Sequence, residues 1–257
     1  MTHDPLNQTI LRETLGDLVE GIELYVLDVC DSTNTRAREL ALGGTDCALI
    51  VSSRQTAGRG RLGRQFHSPE NVGVYLSLLF PVCGDLSDVL SITSAASVAV
   101  MRAIKRTTSL ETKIKWVNDL LLDGKKVCGI LTETITLGDR HWLIVGIGVN
   151  LRPTAFPKEL AEIAGSLNQT TLSRSTLIRE IVEELLPYLK DPQKQDWIED
   201  YRRHSCVLGR EILRIENGNF SPCYAESIDD RGRLTVRHPN GTLETLQSGE
   251  ISIRPIE

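Results

Sequence analysis

The sequence predicts an α+β fold, with a mixed β-sheet flanked by helices over residues 1–206 and a small all-β barrel over residues 207–257. Three observations carry this division. Segments of helical and strand periodicity interleave through the first part. From Gly209 onward, short β segments are separated by the turn clusters Glu216-Asn217-Gly218-Asn219, Asp229-Asp230-Arg231-Gly232 and His238-Pro239-Asn240-Gly241, a frequency of turns that suits a small barrel. Finally, 257 residues with 40% hydrophobic and 25% charged content can bury a sizeable core, as an ordinary globular protein does.

Leu6, Ile10, Leu11, Leu15 and Leu18 recur at helical spacing and predict a helix over 6–20 that Gly21 ends. Glu23 to Val29 alternates like a strand, and Asp31-Ser32 offers caps for a helix to Leu42, stopped by Gly43-Gly44. Strands follow at 48–53 and 73–80. Leu86 to Arg106 is a long helix whose small residues Ala95, Ala96, Ser97 and Ala99 permit close packing. Strands are expected at 113–116, 119–122, 127–135 and 142–149, with a tight turn at Asp123-Gly124, and helices at 172–189 and 195–204.

Composition narrows the function. A formal net charge of −5 argues against binding nucleic acid polymers, which normally needs a basic face. No apolar run approaches the ~20 residues that span a bilayer, so no membrane role is expected. Met1-Thr2-His3-Asp4-Pro5 lacks the basic and apolar regions of a secretory signal, and a cytoplasmic location is expected. The six cysteines are scattered without a C-x-x-C pair, which predicts reduced thiols and no metal site.

Gly58-Arg59-Gly60-Arg61-Leu62-Gly63-Arg64 carries the most information. Glycine lets a backbone turn tightly and approach a ligand, and arginine offers a planar fork for carboxylate or phosphate. The pattern suits closure over a small anion; a solvated basic loop or an RG-type nucleic-acid contact fits it too. It is neither a Walker loop nor a Rossmann fingerprint. Asp31-Ser32-Thr33-Asn34 groups hydroxyls and an amide at a helix start, where they serve either a ligand or simple capping. Gln55 leads into the glycine loop, and Lys115-Trp116-Val117-Asn118-Asp119 joins aromatic, amide and carboxylate at a strand junction. In Gly124-Lys125-Lys126-Val127-Cys128-Gly129, one lysine should face inward by alternation, and in Gly146-Ile147-Gly148-Val149-Asn150 the alternate glycines leave room for a flat ligand or a closely packed helix.

Together these motifs, in this order and approximate spacing, resemble the biotin protein ligase family from about Glu23 to the C-terminus, where Gly249-Glu250-Ile251-Ser252-Ile253-Arg254 matches a further signature. The resemblance implies a catalytic sheet like that of class II aminoacyl-tRNA synthetases, followed by an SH3-like barrel. It implies ATP-dependent activation of biotin to biotinyl-5'-AMP and transfer to a lysine of a biotin carboxyl carrier protein domain. By resemblance, Ser32, Thr33, Asn34 and Gln55 meet the biotin rings, and Lys126 meets the carboxylate and phosphate. Arg59, Gly60 and Arg61 form the lid, Phe66 gives apolar cover, and Gly146 and Gly148 form a flat wall. Arg64, Asn118 and Asn150 contact the nucleotide, and Lys126 and Arg61 are the catalytic cations. Mg²⁺ is bound through the nucleotide phosphates, with no protein metal site. The region 153–164, which in the family helps cover the adenylate, is read as lacking the aromatic residue that some members place over the adenine. Val117 stands where relatives often have proline, and Leu62 and Gln65 where they are often basic. A lipoate ligase shares the fold and chemistry, but the polar Ser32/Thr33/Gln55 set favours a ureido ring. A biotin-responsive repressor is disfavoured, because about twenty residues before the first catalytic strand are too few for a DNA-binding domain. A homodimer is left open.

Overall fold

The computed structural model describes residues 4, 6–82, 89–216, 218–247 and 249–252. Leu86, where the long helix was expected to start, Cys83, Asn217 of the first turn cluster, and Ile253 and Arg254 of the C-terminal signature lie outside the described residues.

A seven-stranded sheet forms the larger part. Its strands are β1 (Glu23–Cys30), β2 (Ala48–Gln55), β3 (Gly73–Pro81), β4 (Lys113–Lys115), β5 (Asp119–Leu122), β6 (Lys125–Leu137) and β7 (Arg140–Asn150), in spatial order β1-β2-β3-β7-β6-β5-β4. β1 and β2 run parallel and every other neighbouring pair is antiparallel, so the sheet is mixed. A parallel pair needs a crossover. Helix α2 (Thr33–Leu42) supplies it.

Alternation along β2 sets the two faces. Leu49 and Val51 join a large core with α1 (Gln8–Leu15), α3 (Val89–Thr108), α4 (Arg174–Lys190) and α5 (Ile198–His204), whereas Ala48 and Ile50 join a smaller one with Ala37 and Ala41 of α2 and Trp142 of β7. The small residues of α3 are buried as the sequence suggested: Ala95, Ala96, Ser97 and Ala99. The first helix is shorter than expected. Asn7 caps it by accepting from Ile10 N at 3.0 Å, but Gly16 takes φ 54° and ends the α-helix five residues before Gly21; a single 3₁₀ turn (Gly16–Val19) continues the chain.

After α5 the chain forms β8 (Glu211–Glu216), β9 (Asn219–Ile228), β10 (Leu234–Arg237), β11 (Leu243–Leu246) and β12 (Glu250–Ser252), an antiparallel sheet in the order β11-β10-β9-β8-β12. Its buried residues, among them Ile212, Leu234 and Ile251, belong to the same hydrophobic cluster as α3 and α4. Trp116 Nε1 donates to Gly232 O at 2.9 Å and Arg202 Nε to Ile228 O at 2.8 Å, which ties the turn after β9 to the larger sheet. Among the described residues the cysteines are free thiols, and no helix is long and apolar enough to cross a membrane.

Candidate functional site

A cleft of about 370 Å³ opens beside the ends of β2, β6 and β7, and every residue singled out above for ligand contact lines it. That volume falls in the range of small-molecule sites. Its two ends differ in chemistry.

One end is built on the N-terminus of α2. Ser32 occupies the N-cap position with an extended backbone but makes no capping hydrogen bond, so capping does not account for its hydroxyl. Thr33 N instead donates to Gln55 Oε1 at 2.8 Å, with Thr33 Oγ1 3.2 Å from the same oxygen, and Gln55 Nε2 donates to Ser68 Oγ at 2.8 Å. Ser77 Oγ lies 2.6 Å from Asn34 Oδ1 and 2.7 Å from Thr33 Oγ1. Asn34 Nδ2 donates to Glu133 Oε2 at 2.8 Å and to Leu131 O at 3.3 Å. Burying a polar group is costly unless it is hydrogen-bonded. Here they pair with one another.

The two alternate glycines of β7 serve different neighbours. A Cβ on Gly146 would sit 2.0 Å from Asn34 Oδ1, and one on Gly148 would sit 2.5 Å from Phe66 Cε1. The wall is therefore met by protein side chains: α2 packs closely at Gly146, and the Phe66 ring lies over Gly148. Phe66 in turn packs edge-on against Tyr75, with centroids 6.5 Å apart. Burial pushes the Tyr75 phenol upward, so it stays a neutral hydroxyl, donating to Pro69 O at 3.0 Å.

The glycine-arginine segment folds as a loop held at its base. Phe66 N donates to Gly58 O at 2.9 Å, and Gly60 N to Arg64 O at 2.7 Å. No side chain fits at Gly58, whose Cβ would lie 2.4 Å from Phe66 O. At the tip, Leu62 and Gly63 both adopt positive φ, 56° and 73°. Arg59 Nη2 reaches Glu133 Oε1 at 2.9 Å. Arg61 reaches the opposite way, to Asn118 Oδ1 at 3.1 Å and to Gly249 O of the smaller sheet's final segment at 2.7 Å.

Lys126 reaches the cleft through a β-bulge. Strict alternation would set Lys125, not Lys126, on the face of Gly129. Pairing with β5 shifts register: Leu120 faces Cys128 but Leu121 faces Lys126, which leaves Val127 as the extra residue. Lys126 and Gly129 thereby share a face, and Lys126 Nζ lies 2.6 Å from Asp119 Oδ1. Lys125 is exposed and donates to Ala161 O at 2.9 Å. The simple alternation argument is thus corrected by the bulge.

Asn118 and Asn150 line the cleft while tying its walls. Asn118 Nδ2 donates to Ile130 O at 2.6 Å, and Asn150 Nδ2 to Gly165 O at 2.9 Å. The described cysteines offer no nucleophile: burial raises the thiol pKa of Cys30, Cys47, Cys128, Cys206 and Cys223. Sequence reasoning missed Ser77, Glu133 and Phe156. Ser77 is a hydroxyl inside the apolar run 74–80, which was a readable signal. Phe156 corrects the expectation for 153–164: it lines the cleft, its ring 6.1 Å from that of His67.

Residues 26–150 match the biotin/lipoate A/B protein ligase family. The chain is 40% identical to the bifunctional ligase/repressor BirA of Bacillus subtilis, across 96% of this chain and 79% of that protein. It is 30% identical to the biotin–[acetyl-CoA-carboxylase] ligase of Mycobacterium tuberculosis, across 96% and 95%. Its fold superposes on the biotin protein ligase of Aquifex aeolicus in complex with biotin and ATP with a TM-score of 0.74, at 27% identity, covering 90% of this chain and 97% of that one.

Proposed function

Because the chain belongs to the biotin/lipoate A/B protein ligase family, we propose that the cleft activates biotin with ATP and passes it to a protein lysine. The protein is a biotin protein ligase, as its relatives over nearly the whole chain are. One observation carries the assignment to this cleft: the hydroxyls and amides of Thr33, Asn34 and Gln55 form a hydrogen-bonded set at the α2 end, and the cations Arg61 and Lys126 line the other. A ligand that is neutral and polar at one end and anionic at the other matches it.

The biotin carboxylate attacks the α-phosphorus of ATP and pyrophosphate leaves, giving biotinyl-5'-AMP. The lysine ε-amine of a biotin carboxyl carrier protein domain then attacks the acyl carbon, losing a proton as AMP departs. Both partners of the first step are anionic, so Lys126 and Arg61 lower their repulsion. The mixed anhydride is already activated, which agrees with the high thiol pKa values. Ser32, Thr33, Asn34 and Gln55 hold the ureido ring, Gly60 and Arg59 close over it, and Phe66, Gly146 and Gly148 shape the wall. Arg64, Asn118 and Asn150 flank the nucleotide, and closure of the loop keeps water from the anhydride.

Among the described residues, no group of three His, Cys, Asp or Glu side chains could hold a metal, and Asp119, the one carboxylate lining the cleft, sits against Lys126. Mg²⁺ is read as carried on the nucleotide phosphates, where it would offset their charge. The smaller sheet is read as an SH3-like barrel module, residues 207–257, and 1–206 as the catalytic domain. The carrier domain docks by adding a strand to the edge at β1. The protein works in the cytoplasm. Incubation with ATP, Mg²⁺, labelled biotin and a carrier domain should place label in the carrier. Preference for labelled lipoate under the same conditions would reverse the assignment of the ring end.

A further inference from the structure

Glu133 gathers donors from two separate parts of the cleft. Its Oε2 accepts from Asn34 Nδ2 at 2.8 Å, and its Oε1 accepts from Arg59 Nη2 at 2.9 Å and Arg38 Nη2 at 3.3 Å. Asn34 and Arg38 stand one turn apart on α2, whereas Arg59 belongs to the glycine-arginine loop. The carboxylate is 15% exposed, against 42% for Arg59, so the acceptor is the better shielded partner.

We infer that Glu133 is a positioning residue for biotin activation, which sets the hydrogen-bond direction of the α2 network and holds the loop over it. The inference rests on the function proposed above. Its logic is one of polarity. An ionised carboxylate only accepts, so it fixes Asn34 with Nδ2 toward Glu133 and Oδ1 toward Ser77. Ser77 must then spend its single proton on Asn34 Oδ1 and accept that of Thr33 Oγ1 at 2.7 Å, which leaves the Thr33 amide to donate to Gln55 Oε1. Donors and acceptors are thereby assigned from Glu133 through Ser77 to Thr33, where a ureido ring needs a defined set of each. The same carboxylate anchors the loop from outside: Arg59 ties one side to β6, and Arg61 ties the other to Asn118 and Gly249. Loss of Glu133 leaves the loop fastened on the Arg61 side.

Glu133→Gln preserves shape but can present its amide to Asn34, which allows the Asn34 amide to turn and the polarity to reverse. We expect the KM for biotin to rise about tenfold, the size of a lost charge-assisted hydrogen bond, with kcat at saturating biotin within about twofold. Biotinyl-adenylate should also dissociate several-fold faster, and Glu133→Gln combined with Arg59→Ala should be no worse than the poorer single variant, because both remove one tie. A wild-type KM for biotin in Glu133→Gln overturns the inference. So does a parallel fall of melting temperature, kcat and both substrate affinities, which marks a residue that merely supports the fold. Failure of the unaltered protein to form adenylate from biotin and ATP defeats the functional reading instead, and that arm is run alongside.

Discussion

At the α2 end of the cleft, Thr33, Asn34, Gln55, Ser77 and Glu133 hold one another through hydrogen bonds of 2.6 to 3.2 Å, all drawn from the larger sheet and its crossover helix. At the other end, Arg61 bridges from a loop with a left-handed tip to Asn118 and to a backbone carbonyl of the smaller sheet. The first end is assembled before any ligand arrives, since each polar group already has a partner within one layered core. The second is closed by a single long side chain that spans two sheets. A preassembled polar end is suited to reading a fixed pattern of donors and acceptors, and a long guanidinium at the other is suited to offsetting anionic charge.

Lys126 lies at the cationic end, beside Asp119, and should separate chemistry from recognition most sharply. Lys126→Ala removes the ammonium beside Asp119 and leaves that carboxylate near the reacting phosphate, so adenylate formation should fall by about a thousandfold with biotin binding far less affected. Lys125→Ala should stay within about twofold, because that side chain leaves the cleft at the bulge. Pyrophosphate release measures both, and equal effects would dissolve the distinction.

Gly146 tests the preassembled end. A methyl group there would overlap Asn34 Oδ1 and force α2 away from β7. Gly146→Ala should therefore weaken biotin by about a hundredfold while ATP affinity moves by less than about threefold. Calorimetric titration with each ligand decides; matched losses would mean the ends are not independent.

Arg61→Gly tests the other end. Without the bridge to Gly249 O, the adenylate should escape about tenfold faster, and lysines of bystander proteins should become labelled. An unchanged dissociation rate would remove Arg61 from the lid. Cutting the chain after Ser205 poses the question less cleanly, because Ile212, Leu234 and Ile251 belong to a core shared with α3 and α4.

The two ends were unequally legible in the sequence. The glycine-arginine loop, Asp31-Ser32-Thr33-Asn34 and Lys126 stand out because unusual residue types cluster locally. Glu133 does not: it lies between two threonines on β6 and meets Arg59 and Asn34 only through the tertiary register of helix, loop and strand. The reason that Gly146 is glycine was ambiguous for the same cause, since Asn34 is 112 positions away. Strand positions followed from periodicity, but their spatial order did not, and the bulge at Val127, which decides which lysine faces the cleft, left no periodic trace. Gly16 rather than Gly21 ended the first helix because local φ, not the reach of the apolar pattern, stops a helix.

A change outside both ends should alter stability alone, and Asp4 supplies it. Its carboxylate accepts from Arg174 N at 3.1 Å, Arg174 Nε at 3.2 Å and Ser173 Oγ at 3.1 Å, and pairs with Arg152 Nη2 at 2.5 Å. Burial alone would raise its pKa, but the Arg174 amide and guanidinium, Ser173 and Arg152 outweigh burial and hold it below the usual carboxylate value. A carboxyl whose folded pKa is depressed stabilises fully above its unfolded pKa of ~4, and that contribution is lost as pH falls through the folded value. Asp4→Asn should therefore cost about 2 kcal/mol at neutral pH, and the difference from the unaltered protein should shrink below about pH 4. Denaturant unfolding across pH measures it. The ratio of biotin to ATP affinity should not move, because Asp4 holds the start of α4 and the residue two beyond Asn150 rather than either end of the cleft. A gap between the two proteins that widens in acid would show that Asp4 gives its stability as a neutral acid, and a changed affinity ratio would tie the N-terminal segment to the site.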